Sequence, residues 1–209
     1  MTLPATCSRC AGPLRAPGFW SSAWQCERHG EVHPFHAAAA PSLAAVERLV
    51  TDSSRVPVWV PRPLPAGWTV TGVARAGDDR TGVVASLVAI SGPVPGGGVA
   101  DLVLIAEEPG VGLGARFAGL AGTDPGPCPD TAPDYKIDAA GHPTALWRTS
   151  TGEDRSALVG ESKACWLWAV VWPELAAGVL DKVVLHDMRD GGHPELELVF
   201  GAQTPRLVP

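Results

Sequence analysis

Apolar and polar residues alternate with a period of two along much of the chain from Trp68 onward. Apolar β-forming residues occur there in short runs, which Gly, Pro and Asp residues separate. The runs predict strands at 68–76, 83–91, 101–107, 135–139, 143–149, 164–172, 182–188 and 196–200. The sequence GDDRTG between the first two runs predicts a hairpin turn. Two short helices are predicted at 114–120 and 174–180.

The predicted strand 164–172 is apolar on both of its faces. Its alternating positions are occupied by Trp166, Trp168 and Trp172 on one face and by Leu167, Ala169 and Val171 on the other. Such a strand is typical of the centre of a sheet that is covered on both sides. The tryptophans could also form the wall of an apolar ligand pocket, although core packing is the commoner use of this residue.

A helical period precedes the strands. Residues at helical spacing follow Ser42, namely Leu43, Val46, Leu49 and Val50. Because Ser42 suits an N-cap, the pattern predicts a short helix that joins two parts of the chain. The next segment, PVWVPRPLPAGW, contains four prolines, which exclude a helix and favour an extended chain. Its interleaved apolar residues favour burial over an exposed SH3-like ligand.

The spacing of the predicted strands bears on the fold class. Few long helical crossovers are available between them, which disfavours a doubly wound parallel sheet. The pattern predicts an α+β fold, in which an N-terminal zinc ribbon precedes a mostly antiparallel β-sheet domain with a few short helices. We expect a zinc-ribbon module at 1–36, a linker with a short helix at 37–56, and an α+β domain at 57–209.

Two close pairs of metal-ligand residues open the chain. The pairs are Cys7-x2-Cys10 and Cys26-x2-His29, and fifteen residues lie between them. Gly30 follows directly and can take the positive φ that such turns often need. Three thiolates and one imidazole can surround a zinc ion tetrahedrally. All four positions are then filled, so we predict a structural zinc rather than a catalytic one, which keeps a position open.

The fourth ligand has alternatives in the segment CERHGEVHPFH. His29 completes the knuckle spacing and is the predicted ligand. If His33 were the ligand instead, Glu31 and His29 would be left near the metal and a more open site would be conceivable. His36 is expected to be a surface residue after the module.

The composition is typical of a soluble globular protein, with 209 residues, 45% of them hydrophobic, and a mean hydropathy of +0.10. The longest apolar run, 164–173, is too short to cross a bilayer.

The first residues of the chain do not show the basic stretch followed by an apolar stretch that is typical of a secretory signal. Three of the five cysteines lie in the zinc pattern, unlike a secreted disulfide framework. We therefore expect a cytoplasmic protein, in which Cys165 is buried and Cys128 is a spare surface thiol.

The charge disfavours nucleic acid as a partner. The net charge is −6 and the pI is about 5.4. Nucleic-acid binding by the ribbon would require Arg9, Arg15 and Arg28 on one exposed face together with Trp20 or Trp24. We expect the aromatic side chains of the ribbon to pack around the metal or on a neighbouring domain instead.

A glycine-rich segment, AEEPGVGLGARFAG, is the main candidate for ligand binding. Its candidate residues are Glu107, Glu108, Gly110, Gly112, Gly114 and Arg116. Glycines before a helix N-terminus can expose backbone N–H groups to an anion, which Arg116 could clamp. The spacing matches neither the dinucleotide nor the P-loop pattern, so a structural loop is the default. Glu107 and Glu108 would point to opposite sides of a strand, which weakens a shared acid–base role.

Two further polar segments could carry chemistry. Asp78, Asp79 and Arg80 lie in the predicted hairpin turn, where aspartate usually bonds to the local backbone. In the segment HDMRD, His186 beside Asp190 could titrate usefully. No serine or cysteine nucleophile with a defensible partner, no HExxH motif and no second metal cluster is visible. The sequence therefore leans against an enzyme.

Several runs carry a resemblance to a known family. They are CSRC, WQCERHGEVHP, PVWVPRPLPAGWTVTGVARAGDDRTG, AEEPGVGLGARFAG, WLWAVVWPE and FGAQTPRL. The chain resembles an uncharacterised family of actinobacterial proteins over nearly its whole length. The resemblance implies that the front knuckles and the Trp-rich rear domain form one unit, and it carries over no catalytic residues.

These observations lead to two functional hypotheses. The first is a cytoplasmic zinc-binding protein that acts as a non-enzymatic binding or adaptor protein, with another protein as partner. The alternative is an enzyme or sensor that binds an anionic or phosphorylated small molecule at the loop 107–116.

Overall fold

The computed structural model describes residues 3–19, 21–94, 96–126, 131–149, 153–191 and 198–207. The strands are β1 (Thr6–Cys7), β2 (Gln25–Cys26), β3 (Gly30–Glu31), β4 (Pro34–Ala37), β5 (Trp59–Pro61), β6 (Thr69–Asp78), β7 (Gly82–Pro93), β8 (Val99–Glu107), β9 (Tyr135–Ala139), β10 (His142–Arg148), β11 (Ser156–Ser162), β12 (Cys165–Trp172) and β13 (Val184–Asp187). The α-helices are α1 (Leu43–Asp52) and α2 (Leu113–Ala118). Short 3₁₀ helices occupy Glu174–Lys182, Met188–Asp190 and Pro205–Leu207.

Eleven strands form one sheet, in the order β1-β4-β6-β7-β8-β12-β11-β10-β9-β13-β5. Neighbouring strands are antiparallel, except that β13 runs parallel to β9. β2 and β3 form a separate small hairpin. The last strand in this order, β5, approaches β7 and β8 although it is bonded to β13. The sheet therefore curls back over one of its own faces.

An apolar layer lies on each face of the curled sheet. We call the layer between the two halves of the sheet the inner core; it includes Trp59, Leu104, Leu146, Leu167 and Leu185. We call the layer on the opposite face the outer core; it includes Phe35, Leu87, Leu113, Phe117 and Trp168. α1 and the 3₁₀ helix Glu174–Lys182 add to the inner core, and α2 adds to the outer core.

β12 has the central position that its sequence predicts. It lies between β8 and β11. Leu167, Ala169 and Val171 belong to the inner core, whereas Trp168 and Trp172 belong to the outer core. Trp166 is partly buried and packs against the outer core. The prediction of a strand covered on both sides is confirmed.

The predicted α+β fold class is wrong, because the protein is mostly β. Strand accounts for 43% of the chain and helix for 16%. The prediction assumed that helices cover the sheet, but the strands β5, β9, β10 and β13 supply most of that cover themselves. The predicted strands also omit β1, β4, β5 and β11 of the large sheet. β11 contains Gly160, which weakens a strand pattern, and β5 lies in the proline-rich segment.

Several local elements of the structure agree with the sequence predictions. α1 begins after Ser42, whose hydroxyl accepts a hydrogen bond from the N–H of Ala45. The hairpin turn between β6 and β7 is present, and the proline-rich segment is extended and buried at Val58 and Trp59. The predicted strand 196–200 lies partly outside the described residues; within them, Phe200 forms an isolated bridge with Val70.

The metal-ligand segment is continuous with the large sheet. β4 crosses the predicted boundary at residue 36 and pairs with both β1 and β6. The division into three parts stays a prediction, but the metal-ligand segment is joined to the large sheet by backbone hydrogen bonds. Among the described residues, no helix has the length and apolarity needed to span a bilayer.

Candidate metal centre

The first ligand pair lies in a tight turn after β1. The N–H of Arg9 donates to Cys7 Sγ over 3.4 Å, and the N–H of Ala11 donates to the Cys7 carbonyl over 2.9 Å. Ala11 takes a positive φ of 59° to close this turn. The next residue, Gly12, packs so close to Cys10 that an added Cβ would lie 3.2 Å from Cys10 Sγ. The turn aims both sulfur atoms to one side.

The second ligand pair lies in the β2–β3 hairpin. Cys26 is paired with Gly30 across the two strands, so His29 falls in the turn between them. Gly30 has a φ of 67°, the positive value that the sequence analysis anticipated. The hairpin thereby directs Cys26 and His29 toward the first ligand pair.

The four predicted metal-ligand residues lie together. Their ligand atoms, three Sγ and one His29 nitrogen, are all within 4.8 Å of one another. His29 Nδ1 is 3.6 Å from Cys7 Sγ and 3.7 Å from Cys26 Sγ. Cys10 Sγ is 3.8 Å from Cys26 Sγ, too far for a disulfide, and all three thiols are free. This Cys3His cluster could hold a metal ion.

The other two histidines of this segment lie outside the cluster. The carbonyl of His33 accepts a hydrogen bond from the N–H of Ser8 over 3.4 Å. The ring of His36 meets the ring of Trp24 edge-on, with 6.3 Å between centroids. The geometry therefore supports His29 as the fourth ligand residue.

The thiols of the cluster differ in acidity. Burial raises the pKa of Cys7 to about 11. Burial also opposes ionisation of Cys26, but the backbone N–H groups of Arg28 and His29 and the His29 ring lower its pKa to about 6. Three thiolates this close together repel one another, and a bound cation would compensate that charge.

Two arginines attach the cluster to the sheet. Arg9 donates from Nη2 to the Gly110 carbonyl over 3.0 Å and from Nε to the Val111 carbonyl over 3.4 Å. The Arg116 guanidinium lies 4.9 Å from the ring centroids of both Phe35 and Phe117. It also donates to the Cys7 carbonyl over 3.5 Å. The first ligand turn is thus docked on the predicted anion-binding loop, and no local pattern in the sequence predicts these particular contacts.

Glu107 in that loop is fully buried and binds backbone. Its carboxylate accepts from the N–H of Leu113 over 2.7 Å and from the N–H of Gly114 over 3.1 Å, at the start of α2. Because Gly112 at the N-cap has no side chain, Glu107 caps the helix from the neighbouring strand. Burial raises the pKa of Glu107 to about 7, although these two N–H groups oppose the shift. These N–H groups are the ones that the prediction offered to an anion.

The remaining groups of the loop also have partners within the protein. Glu108 forms an ion pair with Arg55 at 3.1 Å, and the N–H of Gly110 donates to Asp124 Oδ1 over 2.8 Å. Neither the cavity beside α1 nor the cleft beside Cys26 is lined by a residue of this loop. Anion binding here stays a prediction, and the geometry offers it no free donor among these groups.

The polar turn between β6 and β7 has a structural role. Asp78 Oδ1 accepts from the N–H groups of Arg80 and Thr81 over 3.1 and 2.9 Å. The carboxylate therefore closes the turn, as the sequence analysis expected of aspartate at such a position.

The segment HDMRD is organised around Asp187 rather than His186, which is exposed. The buried Asp187 carboxylate accepts from the N–H of Val58, from Lys163 Nζ at 2.8 Å and from Arg189 Nη2 at 2.7 Å. Burial alone would raise its pKa, but Arg189 and Lys163 lower it to about 2. The network ties β13 to the β11–β12 turn, and no pattern in the sequence predicts the part played by Lys163.

The profile of a family of unknown function, DUF6758, matches residues 1–207. The chain belongs to this family. No curated protein and no solved structure matches the chain. The expected membership of an uncharacterised family over nearly the whole chain is confirmed, whereas the actinobacterial origin stays a prediction.

Proposed function

We propose that this DUF6758 protein binds one structural zinc ion through Cys7, Cys10, Cys26 and His29. The distances between the ligand atoms carry the proposal. With Zn–S of about 2.3 Å and Zn–N of about 2.0–2.1 Å, a regular tetrahedron has S–S edges of about 3.8 Å and S–N edges of about 3.6 Å. Three of the six edges match these values, at 3.8 Å for Cys10–Cys26, 3.6 Å for Cys7–His29 and 3.7 Å for Cys26–His29, and all six are within 4.8 Å.

The ligand set favours a structural role for the metal. Four protein ligands fill a tetrahedral zinc, so no position remains for water or substrate. Cys7 and Cys26 are also buried, with 0% and 6% of their surface exposed. A zinc ion here would hold the two ligand turns together and keep the first of them docked, through Arg9 and Arg116, on the loop before α2 and on α2 itself.

The function supported best is that of a non-enzymatic binding or adaptor protein in the cytoplasm. The zinc pattern takes up three of the five cysteines, which suits a compartment that keeps thiols reduced. The loop between the two ligand pairs carries Phe19, whose surface is 93% exposed, and aromatic residues are enriched in protein–protein interfaces.

Nucleic acid is less well supported as a partner. The hypothesis needs Arg9, Arg15 and Arg28 on one exposed face, but Arg9 donates to the carbonyls of Gly110 and Val111. An inward-directed arginine does not neutralise phosphate. The alternative of an anionic ligand at the loop 107–116 is weakened in the same way, because Glu107 occupies the N–H groups of α2.

The metal content of the purified protein tests the zinc proposal. We expect one zinc per chain by native mass spectrometry and by inductively coupled plasma mass spectrometry, without added metal. Cys26→Ser should lose the zinc, because it removes one of three thiolates. Cys128→Ser is the matched control and should retain it; Cys128 lies outside the described residues. A metal-free protein, or iron in place of zinc, would refute the proposal.

A further inference from the structure

A cavity of about 340 Å³ lies between α1 and the strands β4 and β6, away from the metal ligands. Its volume is within the range of pockets that hold small organic ligands. The proposed function gives this cavity no role. The cavity is open to solvent on one side. All the residues that line it lie between positions 36 and 75.

The floor of the cavity is apolar and made of small side chains. The small and apolar lining residues are Ala38, Ala39, Ala40, Ala44, Ala45, Leu49, Val73 and Ala74. The short alanine side chains leave space between α1 and β6. The floor can therefore accept a compact or slender hydrocarbon body without displacing core residues.

The rim of the cavity is polar and carries an excess of positive charge. Arg48 and Arg75 face a single carboxylate, Asp52, among the lining residues. Arg75 Nη1 is 3.9 Å from Asp52 Oδ2, and both side chains are about one-third exposed. An ion pair this long and this exposed is worth little, so Arg75 can turn to another anion at small cost.

Arg48 is available for a ligand. Within the described part of the chain it forms no ion pair, and it lies one helical turn before Asp52 on α1. Arg48 is therefore a neighbour of Asp52 on the surface of α1, and Arg75 of β6 forms its ion pair with the same carboxylate. His36 also lines the cavity; burial, followed by the charge of Arg75, lowers its pKa. Neutral imidazole adds hydrogen bonding there and no further charge.

We propose that this cavity binds a small monocarboxylic acid with an apolar body. Arg48 and Arg75 bind the carboxylate at the rim, and the alanine-rich floor takes the hydrocarbon. The local excess of one positive charge matches one carboxylate, in a protein whose net charge of −6 otherwise repels anions. Arginine suits the task because its planar fork binds a carboxylate with two parallel hydrogen bonds.

Octanoate is the probe, and octan-1-ol, which has the same chain without the charge, is its matched control. Titration into ¹⁵N-labelled protein should shift the amide signals of residues 38–40, 44–45 and 73–75. We expect a Kd for octanoate on the order of 0.1–1 mM, given ten heavy atoms and a modest ligand efficiency. Octan-1-ol should bind about tenfold more weakly.

Three variants separate this site from non-specific binding. Arg48→Gln should raise the Kd for octanoate about fivefold to tenfold, because a charge-assisted hydrogen bond is lost. Arg80→Gln, an exposed arginine in the β6–β7 turn, should leave the Kd unchanged. Ala44→Trp fills the cavity from an exposed helix position and should abolish the shifts without lowering the melting temperature.

Specific results would overturn the proposal. Shifts spread over the surface, equal affinity for octan-1-ol, or an Arg48→Gln variant that binds as well as the wild type would each exclude a carboxylate site. Absence of any shift at 10-fold the expected Kd would do the same. A concentration-dependent dimer that Ala44→Trp dissociates would instead assign the cavity to a second copy of the chain.

Discussion

The metal-ligand segment and the curled sheet are stabilised by different forces. In the segment 3–33, the described buried apolar cluster consists of Cys7, Cys26 and Val32, two of which are candidate metal ligands. The sheet has an apolar core on each face. A group of residues that buries so little surface cannot offset its loss of conformational entropy without a metal or another cross-link. The sheet can do so by hydrophobic burial alone.

The contact between these regions shows how they depend on each other. Arg9 and Arg116 connect the first ligand turn to the loop before α2, and β4 connects the segment to β6 by backbone hydrogen bonds. The metal segment is therefore an extension of one edge of the sheet. Four predictions, from the largest expected effect to the smallest, test whether the two regions are stabilised separately.

Removal of zinc should have the largest effect, and a local one. Metal binding of this kind contributes roughly 10 kcal/mol or more to the folding of small zinc modules. Chelation, or Cys26→Ser, should therefore abolish amide protection in the ligand turns and in β2–β3, while β7, β8 and β12 remain protected. Hydrogen exchange with mass spectrometry measures both regions in one sample. Loss of protection throughout the sheet would show that the two regions fold as a single unit.

Truncation of a core leucine should show the opposite pattern. Leu167 on β12 is fully buried in the inner core, and Leu167→Ala should lower the free energy of unfolding by about 2–5 kcal/mol through lost burial and a cavity. The zinc content should not change. Leu175→Ala is the matched control, because Leu175 is 96% exposed, and it should alter stability by less than about 0.5 kcal/mol. Equal effects of the two variants in urea unfolding would contradict the assignment of the inner core.

The pH dependence of stability should report Glu107. Its folded pKa of about 7 lies above the model-peptide value of 4.5, so the folded state binds the proton more tightly than the unfolded chain. The stabilisation is complete below pH 4.5 and is lost as the pH rises through 7. Between pH 5.5 and 8 the free energy of unfolding should fall by about 2 kcal/mol in urea titrations.

The variant Glu107→Gln provides the control for this pH effect. It removes the titrating group while keeping an acceptor oxygen near the N–H groups of α2. Its free energy of unfolding should therefore vary less over the same pH interval. If the free energy of unfolding of the wild type rose relative to that of Glu107→Gln between pH 5.5 and 8, the sign of the shift would be refuted.

Removal of the Arg116 charge should have the smallest effect of the four. Arg116→Met keeps much of the side-chain length but removes the cation between the rings of Phe35 and Phe117. Lost cation–π contacts are worth about 1 kcal/mol, and faster amide exchange in the first ligand turn should reveal the change. Arg80→Met serves as the control at an exposed ion pair. If both variants exchange alike, the Arg116 contact does not couple the two regions.

Local patterns in the sequence predicted much of the fold. The period-two runs located β6, β7, β8, β9, β10, β12 and β13 to within a few residues. The cap at Ser42 located the start of α1. β11 and β5 were missed because Gly160 and the prolines weaken a strand pattern, and tertiary pairing overrides such local preferences. The fold class was wrong because periodicity does not show whether a helix or another strand covers a sheet face.

The candidate metal centre and the glycine-rich loop differ in how far the sequence alone predicts the role of their residues. The spacing of Cys7, Cys10, Cys26 and His29 was sufficient to propose a shared site, because two-residue spacings bring ligands together in any knuckle. The loop 107–116 offered glycines and an arginine that could equally bind an anion or the protein itself. Only the tertiary structure showed that the Glu107 carboxylate accepts hydrogen bonds from the N–H groups at the start of α2.

The sequence by itself determined the strand periods, the two-faced character of β12, the cap of α1 and the four residues of the metal cluster. These features depend on side-chain direction and on residues close together in the chain. Only the tertiary structure decided that the sheet curls over its own face, that Arg9 and Arg116 join the metal segment to α2, and that a cavity opens beside α1. Each of these depends on contacts between residues distant in sequence, whose choice is made by packing and burial over the whole chain.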